Sequence, residues 1–414
     1  MKKRIAVIST MDTKAAEAEF ISGIIRARGH EPVLIDVGPL SRPECAADYS
    51  NLDVAGYAGK DLRRLIKTGP RDKIMRNMAI GAEKILQKLY AEGTLDGVLG
   101  LGGNQGSSIA AAAMRGLPIG FPKFLVSTVA SGNIRPYIGY TDIVITFSVS
   151  DLVGGVNPVS RAILSNAAAS VIGMAESGER VKNSEPEKTI ALSALGNTES
   201  SAARIFHALR SQGYEVITFH ASGAGGSAME DLIEKGVFGG VMDLTTHELA
   251  EEVAGVGVYV PIKTGRLTAA GKRGIPQVVS FGGLEYFCGG TRDSILPAYR
   301  KRKIYMHNPL NANIKLVTAE MKEVGLRMAV RLNTAKGPVH LVVPLRGWSV
   351  YGAKGGPFYD PKGADTLLKA LYTKLNTKKI KIQEVDAHIN DEAFSDVCSA
   401  AMIDAMKVKY GGIV

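Results

Sequence analysis

A chain of 414 residues exceeds what one ordinary hydrophobic core organises, so two domains or more are expected. Its 45% hydrophobic content, 47 glycines and 6% aromatic share suggest a soluble α/β protein rather than a disordered or membrane one. The formal charge of +10 suits anionic small molecules. Yet the basic residues are interleaved with acidic ones, and no aromatic-rich basic module accompanies the short runs at 300–303 and 378–381. Specific nucleic-acid binding is therefore not expected.

Three cysteines, Cys45, Cys288 and Cys398, are odd in number and far apart. That spacing argues against a disulfide framework or a zinc motif and fits a reducing cytoplasm. The apolar run after the basic opening Met-Lys-Lys-Arg is too short for a signal segment, and no stretch is long enough to span a bilayer. A cytoplasmic protein without membrane partners is expected.

In chain order, Ile5–Ile8 reads as a buried parallel strand, short and continuously apolar. The turn Ser9–Lys14 leads into a helix with Phe20, Ile21, Ile24 and Ile25 on one face, closing at Gly29, with Asp12 or Thr13 suited to its N-cap. Val33–Val37 is the next strand. From Pro39 to Gly69 the pattern weakens, as in an excursion covering the sheet edge. A long helix follows from Asp72 to Glu92, its methionines core-facing.

Gly97–Leu101 and Phe124–Thr128 read as strands around a small-residue helix. Ile143–Phe147 reads as a further strand. Asn157-Pro158 then starts a helix bearing Ala162, Ala167, Ala168, Ala169, Ser170 and Gly173. Such a face permits close approach, either within the domain or across a dimer interface.

The hydrophobic pattern lapses from Ser177 to Lys188, which places a boundary between domains 1–180 and 188–414. Beyond it the sequence repeats itself. IAVISTMDTKAAEAEF from Ile5 aligns with IALSALGNTESSAARI from Ile190, DGVLGLGG from Asp96 with GGVMDLTT from Gly239, and FPKFLVST from Phe121 with IPQVVSFG from Ile275. Three matches in one order indicate an internal duplication, two Rossmann-like α/β domains with parallel sheets flanked by helices.

The copies differ where chemistry would sit. After its central strand the first has Gly102, Gly103, Asn104, Gln105 and Gly106, stripped to backbone for the phosphates of a nucleotide. Thr13 and Lys14 would complement them. A second small-residue turn offers Thr128, Ala130, Ser131 and Gly132. Asp12 or Asp151 could face Mg²⁺ through water. No complete P-loop and no clean GxGxxG are present, which disfavours a nicotinamide. The second copy has another glycine-rich turn, Gly223–Ser227, and gathers His220, His247, His307 and His388. Glu230 and Asp391 are potential proton partners there, with His220 and His388 the preferred catalytic pair. A histidine-plus-carboxylate metal site is an alternative.

Several stretches together carry a resemblance over nearly the whole chain. They are DTK at Asp12, GLGGNQGSS at Gly100, LPIGFPKFLVSTVASG at Leu117, SVSDLVGGVN at Ser148, FHASGAGGSAMEDL at Phe219, DLTTHELAEEV at Asp243, FYDPKGAD at Phe358 and HINDEAF at His388. The chain resembles the Tm-one-like ATP-binding domain family. The resemblance implies two Rossmann-like domains, ATP bound in the first, and a homodimer. It implies no reaction. Ser280–Cys288 and Arg346–Tyr351 depart from the family's pattern. Two other functions remain open: an enzyme acting on a small anionic metabolite, a sugar-acid or phosphorylated compound, at the histidine-bearing domain; and a protein-interaction or regulatory module.

Overall fold

The computed structural model describes residues 1–39, 46–181, 185–263 and 265–411. Cys45 and parts of the excursion (40–45) and boundary (182–184) lie outside the described residues. The chain divides into two units, residues 1–181 and 182–414.

In the first unit, β1 (Arg4–Ser9), β2 (Glu31–Asp36), β3 (Gly97–Gly102), β4 (Lys123–Ser127) and β5 (Val144–Phe147) form one sheet in the order 2-1-3-4-5. Every pairing is parallel. Successive side chains on a strand point to opposite faces, and this sheet is covered on both. Ala6, Ile8, Val33, Ile35 and Val98 pack with the helices Arg71–Ala91 and Asn104–Met114. Ile5, Val7, Leu34, Leu99 and Leu101 pack with the helices Ala15–Ala27 and Pro158–Ser177. That is why these strands read as continuous apolar runs.

Two features of this unit differ from the sequence reading. The weak stretch after Pro39 contains the helices Asn51–Tyr57 and Leu62–Thr68, capped by Ser50 and Asp61, which bury Val54, Ala55, Leu62 and Leu65. The small-residue helix Pro158–Ser177 turns Ala167 and Ala168 into the core, while Ala162, Ser170 and Gly173 stay exposed.

In the second unit, β6 (Thr189–Ala194), β7 (Glu215–His220), β8 (Gly240–Asp243) and β9 (Gln277–Val279) continue the chain. β10 (Tyr286–Cys288), β11 (Ile304–Asn308), β12 (Asn311–Lys315), β13 (Val339–Pro344) and β14 (Ile380–Val385) follow. The parallel sheet runs 14-13-9-8-6-7. Counted from its own first strand and read from the other edge, that is 2-1-3-4-5-6: the first unit's order with one strand added. The segments aligned in the repeat become equivalent strands. An addition without counterpart is the antiparallel sheet β10-β12-β11. No described helix is long and apolar enough to cross a membrane.

Candidate functional site

In a doubly wound sheet, ligands enter at the carboxyl ends where the strand order reverses. In the first unit that point lies between β1 and β3. The loop after β1 holds Thr10–Lys14, and β3 is followed by one connecting residue, Gly103, before the helix begins at Asn104. The expected glycine-rich loop is therefore mostly regular structure: Gly102 ends the strand and Asn104, Gln105 and Gly106 form the first helical turn. The N–H groups of that turn have no intrahelical acceptor, and Gly103 supplies no side-chain cap. A Cβ on Gly106 would lie 3.6 Å from the Thr10 side chain, at ordinary contact distance. The two loops meet.

Lys14 is 9% exposed, at the N-cap of the helix Ala15–Ala27. Its ammonium meets the Thr13 carbonyl at 3.4 Å and forms no ion pair among the described residues. At the end of β2, Asp36 accepts hydrogen bonds from the backbone N–H groups of Met11 (3.0 Å) and Gly38 (2.8 Å), fixing both loops. Its other carboxylate oxygen is buried without a partner among the described residues. Burial, with Asp12 nearby, raises the Asp36 pKa to about 6. Sequence reading missed Asp36 because an apolar strand ending in Asp looks ordinary.

In the turn after β4, the Gly132 N–H donates to the Val129 carbonyl. It closes that turn rather than facing an anion, and leaves Thr128, Ala130 and Ser131 as the accessible members. Asp151 is exposed after β5, its carboxylate accepting from the Leu152 N–H at 2.8 Å. Thr13 is exposed and Asp12 half-buried.

The second unit's glycine-rich turn is already filled. The N–H groups of Gly223 and Gly226, at the start of the helix Ala224–Glu234, donate to the Glu248 carboxylate. Glu248 in turn pairs with Arg266 at 2.5 Å, and Arg266 also contacts Asp243 (2.7 Å) and Glu230 (3.1 Å). Burial disfavours the guanidinium charge, but Asp243, Glu248 and Glu230 together hold its pKa well above the ordinary value. Glu230 spends its remaining valences on the N–H groups of Leu267 and Ala269. It is a structural anchor, not a free proton carrier.

The four histidines have separate surroundings. His220 ends β7 in a crevice also lined by Glu199, Phe206 and Thr218. His307 is exposed on β11 and hydrogen-bonds the Tyr351 hydroxyl at 3.0 Å. His388 is half-buried, its Nε2 2.9 Å from the Ser349 carbonyl. Asp391 accepts from the backbone N–H of His388 rather than from its ring. Among the described residues His220 and His388 share no hydrogen-bond partner.

His247 is fully buried at the start of the helix Glu248–Ala254. Its Nδ1 is 2.6 Å from the Gly283 carbonyl, and its Nε2 lies 3.2 Å from Glu251 Oε1 and 3.6 Å from Cys288 Sγ. Burial opposes charge on His247, yet Cys288 and Glu251 hold its pKa well above the usual value. His247 and Glu251 are one helical turn apart, a spacing visible in the sequence. Cys288 ends β10, 41 positions away, and only the unforeseen antiparallel sheet brings it in.

A cavity of roughly 450 Å³ lies nearby in the chain's second unit. Met321, Trp348 and Phe358 give it apolar walls, and Lys315, Arg346 and Lys354 give it cationic groups. Lys315 is paired with Asp360 at 2.5 Å. Glu285, buried, accepts from the Ser349 hydroxyl through one oxygen and leaves the other without a partner among the described residues. Burial pushes its pKa up.

Two family models match in sequence order: the N-terminal domain of the uncharacterised protein family UPF0261 over residues 3–180, and its C-terminal domain over 187–406. A UPF0261 protein of Clostridium tetani is 38% identical over 408 residues, covering 98% of this chain and 100% of its own. One from Rhizobium meliloti is 35% identical, covering 97% and 99% respectively. The ToMV susceptible protein tm-1(GCR26) of Solanum lycopersicum is 34% identical over 99% of this chain but only 56% of its own length. With both domain models matched and relatives aligned end to end, the chain belongs to the uncharacterised protein family UPF0261.

Proposed function

We propose that the first unit binds a nucleotide, ATP, with its phosphates at the carboxyl edge between β1 and β3. The observation that carries this reading is a convergence. An uncapped helix N-terminus, which favours anions, meets the Thr10–Lys14 loop, whose nearly buried lysine has no carboxylate partner among the described residues. Asn104, Gln105 and Gly106 would donate backbone N–H groups, Lys14 would meet the phosphates, and Thr13, Thr128, Ala130 and Ser131 would line the approach. Mg²⁺ would enter with the nucleotide, bridging phosphate oxygens and meeting Asp12 through water. The family resemblance supports ATP as the nucleotide and adds a homodimer. Calorimetric titration with ATP, ADP and NAD, each with Mg²⁺, tests the reading; light scattering in the same buffers tests the dimer. Binding of ATP and ADP but not NAD is the expected result. No heat with any of them would sink it.

The cavity in the second unit favours a second reading, an enzyme acting on a small anionic metabolite. An apolar body would fit between Met321, Trp348 and Phe358, with its charged end toward Lys354 and Arg346. A metabolite screen by thermal shift, with nucleotide present, tests it, and stabilisation lost in Lys354→Ala is the expected mark.

A further inference from the structure

We propose that His247, Glu251 and Cys288 form a tetrahedral binding site for a zinc-class divalent cation. The proposal is independent of nucleotide binding in the first unit.

The argument starts from one nitrogen. Nδ1 of His247 lies 2.6 Å from a carbonyl oxygen, which can only accept, so Nδ1 carries a proton and donates it to Gly283. In the neutral ring Nε2 then presents a lone pair. That lone pair points at a carboxylate oxygen of Glu251, 3.2 Å away, also an acceptor. Two acceptors facing each other in a fully buried pocket need a positive charge between them, supplied by a proton on Nε2 or by a metal cation. A thiol sulfur closes the third side at 3.6 Å. All three donor atoms lie within 4.8 Å of one another, and all three residues are buried.

The spacings match a metal polyhedron. With ordinary zinc bond lengths, neighbouring nitrogen and oxygen ligands of a tetrahedron are about 3.3 Å apart, and nitrogen and sulfur about 3.6 Å. The observed 3.2 and 3.6 Å are those edges. A Cys-His-Glu nucleophilic triad would be built differently. There the thiol and the carboxylate address opposite ring nitrogens, whereas here both converge on Nε2.

The surroundings are those of a metal ligand set. The Gly283 carbonyl on Nδ1 is the usual second partner that fixes a ligating histidine's tautomer. Gly283 has φ +72°, and a Cβ there would sit 3.2 Å from the imidazole, so glycine alone lets the carbonyl approach in this way. Glu251 is held through Oε1 by the Cys288 N–H (2.7 Å) and through Oε2 by the Tyr259 N–H (2.7 Å). Asn313 Oδ1 lies 3.4 Å from the thiol. On metal entry, bonds form from the ion to Nε2, Sγ and a carboxylate oxygen. The S–H bond breaks, and its proton, with any proton on Nε2, leaves to solvent. Three protein ligands leave the fourth position to water or another small oxygen ligand, the arrangement of catalytic rather than purely structural zinc. Cysteine spacing hid this site: the three ligands come from a helix and a strand far apart in sequence.

The test uses the full chain, stripped with chelator and titrated with Zn²⁺ and, for its spectrum, Co²⁺. One equivalent per chain is expected, with d–d bands of tetrahedral intensity and a thiolate-to-cobalt charge-transfer band. Cys288→Ser should abolish that band and weaken zinc, in competition with a chromophoric chelator, by at least the ~10–100-fold that loss of an outer-sphere partner costs. If Cys288→Ser does not fold, the double variant Cys45→Ser/Cys398→Ser decides. It leaves Cys288 as the sole thiol, and the band must persist. Absence of stoichiometric metal in the wild type, or loss of the band in the double variant, would overturn the site and leave the Nε2 position to a proton.

Discussion

Lys14 and Asp36 stand one loop apart at the same sheet edge with opposite electrostatic needs. Lys14 is almost buried, and among the described residues only a carbonyl at 3.4 Å partners its ammonium, a cost that a bound phosphate would offset. Lys14→Ala is therefore expected to leave the thermal midpoint of the free protein nearly unchanged. It should weaken ATP by the roughly 10–150-fold that a charge-assisted hydrogen bond of about 1.5–3 kcal/mol represents. Unchanged ATP affinity in calorimetry would remove Lys14 from the site. Asp36 makes a pH prediction instead. Folded, it takes up a proton at about pH 6; in the unfolded chain it does so near 3.9. Between those values the folded state binds more protons, so stability falls as pH rises from about 4 to 6 and stays lower above. Asp36→Asn keeps an oxygen for the Met11 and Gly38 N–H groups and removes the charge. Its urea midpoint should lack that fall, and its stability at pH 7 should match or exceed wild type. A wild-type fall that persists in the variant would assign it to another group.

At the scale of elements, helix packing in the first unit depends on one position that periodicity could not reveal. Gly81 sits mid-helix in Arg71–Ala91, where an added Cβ would lie 1.8 Å from the Val54 carbonyl oxygen of the helix Asn51–Tyr57. Gly81→Ala gains about 1 kcal/mol of intrinsic helix propensity. It must also push two packed helices apart, an overpacking that costs about 1–3 kcal/mol and more when backbone is the obstacle. A lower urea midpoint is expected; a higher one would mean that the two helices can separate freely. The residues 39–69 also mark where sequence reading weakened. Long amphipathic helices and continuously apolar strands announced themselves because each buries a whole face. The helices Asn51–Tyr57 and Leu62–Thr68 have seven residues each, too few turns to establish a period. β10 has three residues, and the other two strands of its sheet follow a stretch of basic loop. The zinc-class cluster was half legible, as His247 and Glu251 four positions apart. Its third member depended on that short strand.

At the scale of the whole chain, duplication gave each unit the same reversal of strand order, but the second copy has filled its own edge. In the first unit the reversal between β1 and β3 opens onto uncapped N–H groups. In the second, the reversal lies between β6 and β8. There the Ser193 hydroxyl donates to Asp243 (2.7 Å), and the Thr198 and Thr245 hydroxyls pair at 2.7 Å. The neighbouring helix N-terminus holds Glu248 where an external anion would sit. A carboxylate of the chain's own, locked by Arg266, competes with any phosphate at effectively unlimited local concentration. One nucleotide per chain is thus expected, not the two that sequence symmetry alone would suggest. The first unit also has a complete sheet with both faces covered by its own helices. Residues 1–181 expressed alone should therefore fold and retain ATP affinity within about threefold, less than the ~1.4 kcal/mol of a tenfold change. Calorimetry on the full chain and on 1–181 separates the possibilities. Two equivalents in the full chain would show that Glu248 yields its position. A folded 1–181 that binds no ATP would move the nucleotide out of the β1–β3 edge.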